Sequence, residues 1–343
     1  MTATTAGLPA ISAVMAAAGA AVLSATLITL LFPLLKRYAL VRPNARSSHH
    51  TPTPQGGGIA VVGAMIAAIA MAYGLGWLGS AVPTPLAVVV VGAVVMACLG
   101  AIDDVRPLPV VPRFFLQLIV VGTVILALPE QSRIVPPLPW WLERSLLVLG
   151  GLWFVNLVNF MDGLDLMTVA EALPLTAALV VLGHNGALPA YATIVALALG
   201  GAVLGFAYFN RPVAKLFLGD VGSLPIGLVL GWLLLMLAAG GHLIAAIVMP
   251  LYYLADASLT LVRRLSRGER LWQAHRTHFY QLATDRGFTV TEVVALVFAA
   301  NLGLCALAIM TVIAPNALTN IAALLGGAIV VAGLLFVFAR GRQ

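Results

Sequence analysis

The sequence predicts an all-α integral membrane protein: a polytopic bundle of about eleven transmembrane helices forming one domain over residues 1–343. Three observations predict it. Hydrophobic residues make up 62% of the chain and charged residues 9%, with a mean hydropathy of +1.06, so too little polar surface is left to cover a soluble core. Many apolar runs approach or exceed the roughly 20 residues that cross a hydrocarbon core. The runs are continuously apolar rather than alternating, which disfavours a β-barrel.

In chain order the expected spans are 8–35, 58–78, 84–101, 113–129, 145–160, 168–183, 189–208, 222–239, 242–262, 290–313 and 317–338. The first has no Lys or Arg in its leader MTATTAGLPA, so it reads as a membrane helix rather than a cleaved signal. The sixth contains Glu171 and Pro174, and the eighth and ninth are separated by a very short connection. With the N-terminus outside, 16 of the 18 Lys and Arg fall in inside connections, and only Arg133 and Arg144 fall outside. The positive-inside rule then puts the C-terminus in the cytoplasm. The net charge of +6 follows from this topology and requires no nucleic-acid partner; it favours anionic lipid headgroups and phosphorylated substrates. Cys98 and Cys305 lie in apolar spans without ligand spacing and read as small buried hydrophobes.

Polar chemistry collects in five inside connections, at about 36–57, 102–113, 159–168, 209–222 and 263–289. In the first, RPNARSSHHTPTPQGGGIA, the glycines at 56–58 either free backbone N–H groups for an anion or form a hinge. In the second, GAIDDVRPLPVVPRFFLQ, Asp103 and Asp104 either pair with Arg106 or Arg113, or act as metal-linked or proton-accepting carboxylates near a phosphate. In the third, VNLVNFMDGLDLM, a helix would place Asn156, Asn159 and Asp162 on one face, and Gly163 would break it and turn Asp165 elsewhere. In the fourth, NRPVAKLFLGDVGSLPIG, Lys215 precedes Asp220, and a loop Asp with Gly219, Gly222 and Ser223 at a helix start suits a phosphate or a metal.

The fifth, RRLSRGERLWQAHRTHFYQLATDRG, sets His275 and His278 around Arg276. No third ligand stands nearby for zinc. The segment is either an amphipathic membrane-surface stretch or a cationic grip on a pyrophosphate. Asp256, about two turns before Arg263 and Arg264, is either a functional intramembrane acid or their ion-pair partner.

Taken together and in this order, SSHHTPTPQGGGIA, GAIDD, NLVNFMDGLD, FLGDVGS and AHRTHFYQ resemble the polyprenyl-phosphate N-acetylhexosamine-1-phosphate transferase family, glycosyltransferase family 4. The sequence looks closer to the O-antigen-initiating branch than to the MurNAc-pentapeptide enzyme, because AHRTH lacks that enzyme's triple-His pattern. The resemblance implies transfer of a sugar-1-phosphate from a UDP-amino sugar to undecaprenyl phosphate with release of UMP. It implies Mg²⁺ (or Mn²⁺) as cofactor, a bacterial inner-membrane location among membrane lipids, and an active site facing the cytoplasm, and it leaves room for a homodimer. It assigns catalysis to Asp103, Asp104, Asp162 and Asp165, and the metal to Asp220 and Asp162. Substrate binding goes to Asn156, Asn159, His275, Arg276 and His278, with Lys215 and the Arg46–Gly58 segment, His49 included, set toward the lipid phosphate. One position departs from the family: Leu166 stands where Gly is usual, and a Leu does not readily take positive φ. Two other readings remain open: an ion-coupled transporter, and the MurNAc-pentapeptide transferase.

Overall fold

Each of the eleven expected segments contains a helix. The computed structural model describes residues 10–41, 52–270 and 275–342. Among these residues nine helices are long and apolar enough to cross a membrane. They are α1 (Ala10–Tyr38), α2 (Gly57–Gly74), α3 (Thr84–Val105), α5 (Trp140–Met161), α6 (Met167–His184), α7 (Ala190–Asn210), α8 (Asp220–Ala239), α12 (Val290–Ile313) and α13 (Ala317–Arg340). The fourth expected span is a shorter helix, α4 (Val110–Leu126). The ninth is broken at Met249–Pro250 into α9 (Leu243–Val248) and α10 (Leu251–Ser266), because proline removes an N–H donor and crowds the preceding turn. A further short helix, α11 (Phe279–Asp285), lies in the connection after α10.

Small residues decide how closely the helices approach, since lipid tails give apolar side chains little reason to leave them for one another. The buried stripe of α1, which includes Ser12, Ala16, Ala20 and Ser24, packs along α7. The most buried span is α8, which lies against α2, α3 and α5. Its first turn is met from two sides by backbone. A Cβ on Gly58 would lie 2.2 Å from Gly222 Cα, and one on Gly100 would lie 2.2 Å from the Asp220 carbonyl oxygen. Only glycine permits either approach.

Before α2 the chain makes a two-stranded antiparallel sheet of β1 (Leu40–Val41) and β2 (Thr53–Pro54). Gln55 then bridges in parallel to Phe217, tying the first inside connection to the fourth. Cys98 departs from expectation: it is exposed on the outer surface of the bundle, whereas Cys305 is buried.

Candidate active site

Four of the five inside connections meet at the start of α8. Asp103, in the last turn of α3, accepts from Leu108 N–H at 2.6 Å and from Arg113 Nη1 at 2.6 Å. The same guanidinium stands 3.5 Å from Asp220 Oδ2, so one cation faces two carboxylates. Asp104 has another occupation. Its two oxygens accept the backbone N–H groups of Asp220 (2.9 Å) and Val221 (3.1 Å), donors that the first turn of a helix leaves without intrahelical partners. Asp104 therefore clamps α8 and carries less free acceptor capacity than the adjacent-acid motif suggests.

For Gly57 and Gly58 the anion reading of the first connection is corrected by the same region. The N–H groups of Gly57 and Gly58 donate to the carbonyls of Phe217 and Leu218, both at 2.9 Å, so they are not open to an anion. The glycines serve close packing instead. Gln55 Nε2 adds a bond to the Asp104 carbonyl at 2.9 Å. His49 and the rest of residues 42–51 lie outside the described residues.

The third connection supplies the other wall. Asn159, near the end of α5, donates to Asp220 Oδ1 at 2.7 Å and to Ser223 Oγ at 2.9 Å. One turn earlier, Asn156 donates to Gln117 Oε1 at 2.8 Å and so joins α5 to α4. Asp162 follows the last residue of the helix and accepts from the Thr168 hydroxyl. Burial first, then the charges of Asp220, Asp104 and Asp165, push its carboxyl up to about 8. Asp165 accepts from Ala214 N–H at 3.0 Å and so touches the fourth connection. There Lys215 is exposed, with no side-chain partner among the described residues.

Leu166 does what its residue type disfavours. Its φ is +62°, the only positive value at a non-glycine among the described residues. Its N–H donates to Asn210 Oδ1 at 2.7 Å, while Asn210 Nδ2 holds the Leu216 carbonyl at 2.9 Å, so the strained backbone is held by a buried amide.

The fifth connection docks on the third. The Tyr280 hydroxyl donates to the Phe160 carbonyl at 2.9 Å, and a Cβ on Gly163 would lie 2.2 Å from that hydroxyl oxygen. His278 is buried, its ring 6.4 Å from Phe160 and stacked 4.9 Å from His275. Burial first, then His278 and Arg264, lower His275 to about 4, so its imidazole is neutral near neutral pH. Arg276 holds Thr284 Oγ1 and Asp285 Oδ1, both at 3.1 Å, while its Nε is buried without a partner among the described residues. Asp256 does not form an ion pair with Arg263 or Arg264; it faces His278 Nδ1 instead, at 3.2 Å.

The sequence reading passed over three contributors: Arg113, taken only as a salt-bridge partner, Gln117 and Asn210. Gln117 lies four residues after Arg113 on the same face of α4, and a polar residue recurring one turn on in an apolar span was a readable signal.

Hard oxygen donors suit a hard divalent cation. Asp220 and Asp162 are the candidates, because Asp104 is committed to backbone N–H groups and Asp103 to Arg113 and Leu108. Asp162, its carboxyl raised chiefly by burial and then by neighbouring carboxylates, stands among acids that a cation would offset. Among the described residues no three His, Cys, Asp or Glu stand close enough to hold a metal by themselves. The residues therefore fit a cation held by one or two carboxylates and completed by substrate phosphate and water.

Residues 86–238 match the family described as glycosyl transferase family 4. The chain is 31% identical over 287 residues to a phospho-N-acetylmuramoyl-pentapeptide-transferase of Synechococcus, covering 75% of this chain and 80% of that one. It is 29% identical over 331 residues to a decaprenyl-phosphate N-acetylglucosaminephosphotransferase of Mycobacterium tuberculosis, covering 86% of this chain and 81% of that one. Similarity at this coverage extends beyond the α8 site to most of the bundle, and the chain belongs to the polyprenyl-phosphate hexosamine-1-phosphate transferase family.

Proposed function

We propose that the protein transfers an N-acetylated amino sugar-1-phosphate from its UDP derivative to undecaprenyl phosphate, at the cytoplasmic face of a bacterial inner membrane. A phosphate oxygen of the lipid attacks the β-phosphorus, the bond to the α-phosphate oxygen breaks, and UMP leaves. One phosphoanhydride replaces another, so no external energy source is needed.

The observation that carries this reading is Arg113 set between Asp103 and Asp220, with Asn159 on the far side of Asp220. Such a cation can face the phosphate charge that develops during transfer, in a setting where fixed charges act more strongly than in water. Asp220 and Asp162 would hold Mg²⁺ or Mn²⁺, which when bound neutralises diphosphate charge. Asp103, paired with Arg113, is the candidate to take a proton from the lipid phosphate. His275, Arg276 and His278 are assigned to the sugar diphosphate, and exposed Lys215 to the lipid phosphate. The AHRTH loop favours the branch that starts surface polysaccharides such as O-antigen over peptidoglycan synthesis.

Asp220→Asn is expected to abolish UMP release from UDP-N-acetylhexosamines while the protein stays folded, and chelation of divalent cations is expected to do the same to the wild type. Wild-type rates in that variant would remove Asp220 from the reaction.

A further inference from the structure

Asp256 lies on α10, two turns after the break at Pro250, and is fully buried. A buried carboxylate is costly unless donors answer it. Two answers come from its own helix: the Tyr252 hydroxyl at 3.1 Å and the Thr260 hydroxyl at 3.4 Å. The other three come from consecutive residues of the fifth connection. His278 Nδ1 lies 3.2 Å away, and the N–H groups of Phe279 and Tyr280 donate at 3.1 Å each.

We propose that Asp256 is the positioning residue of the donor-binding loop: one buried carboxylate on α10 sets the path of residues 278–280 and the orientation of the His278 ring. This rests on the reading of residues 275–278 as the grip on the sugar diphosphate. Each Asp256 oxygen already accepts a backbone N–H, so the proton facing them belongs to His278 Nδ1, and Nε2 is the ring atom turned away. Stacking on His275 at 4.9 Å and on Tyr280 at 5.7 Å removes the ring's remaining freedom. Because Tyr280 also reaches the Phe160 carbonyl, the same carboxylate holds the loop against the turn that bears Asp162. The arrangement follows the general rule that an acid behind a histidine fixes its tautomer and aim.

Asp256→Asn keeps the size of the side chain but turns an amide N–H₂ toward groups that are themselves donors. The Michaelis constant for the UDP-sugar is expected to rise at least tenfold while that for undecaprenyl phosphate stays unchanged. A merely structural loss lowers the active fraction and moves neither constant. Tyr252→Phe, which removes one donor from outside the loop, is expected to keep both constants within about twofold. In wild-type protein labelled with ¹⁵N-histidine, the His278 signal, assigned by its loss in His278→Asn, is expected to show protonated Nδ1. An unchanged donor constant in Asp256→Asn, equal shifts in both constants, a Tyr252→Phe effect of equal size, or protonated Nε2 in neutral His278 would each overturn the proposal. If the wild type releases no UMP from any UDP-sugar, the transferase reading fails separately. The tautomer then still decides the role of Asp256, as does amide hydrogen exchange at 279 and 280, expected to speed up at least tenfold in Asp256→Asn.

Discussion

Leu166 takes a backbone conformation that costs a non-glycine residue about 1–2 kcal/mol, and it keeps that conformation because Asn210 holds its N–H. Its side chain repays part of this by packing against the core. The two effects oppose, so Leu166→Gly is expected to stay within about 1 kcal/mol of wild-type stability and to keep its activity. Leu166→Val, β-branched at positive φ, is expected to lose at least about 1 kcal/mol. Chemical denaturation checks both, and a changed sugar preference in the glycine variant would show that Leu166 also shapes the pocket. His275 gives a pH prediction. Unfolded, it takes a proton near about 6.5; folded, it resists until about 4. Its contribution to folding is present above pH 6.5 and is lost as pH falls toward 4. The melting temperature is expected to decline across that window, and less steeply in His275→Asn.

At the scale of elements, the start of α8 is where the site is assembled. Gly100 and Gly58 let α3 and α2 come close to the first turn of α8, where Asp104 reaches its first N–H groups. Gly100→Ala forces those backbones apart, since overpacked contacts cost about 1–3 kcal/mol and shift the chain. The variant is expected to lose about 2 kcal/mol or more of stability and at least tenfold in turnover, measured on the folded fraction. The break at Pro250 has a matching consequence: α10 starts anew and carries Asp256 to the loop at 278–280.

For the whole molecule, topology gives the orientation prediction. Glu130, in the α4–α5 connection expected outside, and Ser266, at the end of α10, are both exposed. In intact cells a membrane-impermeant maleimide is expected to label Glu130→Cys and to miss Ser266→Cys until the membrane is opened; the reverse pattern would invert the positive-inside assignment. Much of this architecture was legible in the chain. Order and position of the helices follow from hydropathy, which is a sum over consecutive residues. Only α4, short for a span, and the α9–α10 break departed, and Pro250 was the visible cue for the break. The site was legible as residue types. Asp103, Asp104, Asn159 and Asp220 are polar in an apolar chain and do meet.

The sequence by itself determined the membrane class, the order of the spans, the clustering of carboxylates in a few connections between spans and the family resemblance, because each is carried by local composition and short motifs. Only the tertiary structure decided how those groups are used. Asp104 clamps a helix start 116 residues away, and Asp256 seats a loop 22 to 24 residues on. Gly57 and Gly58 spend their N–H groups on the fourth connection, and Leu166 is held at positive φ by Asn210, 44 residues on. Whether a carboxylate or an amide is free or committed depends on the hydrogen-bond partner that folding delivers, and no local periodicity specifies that partner.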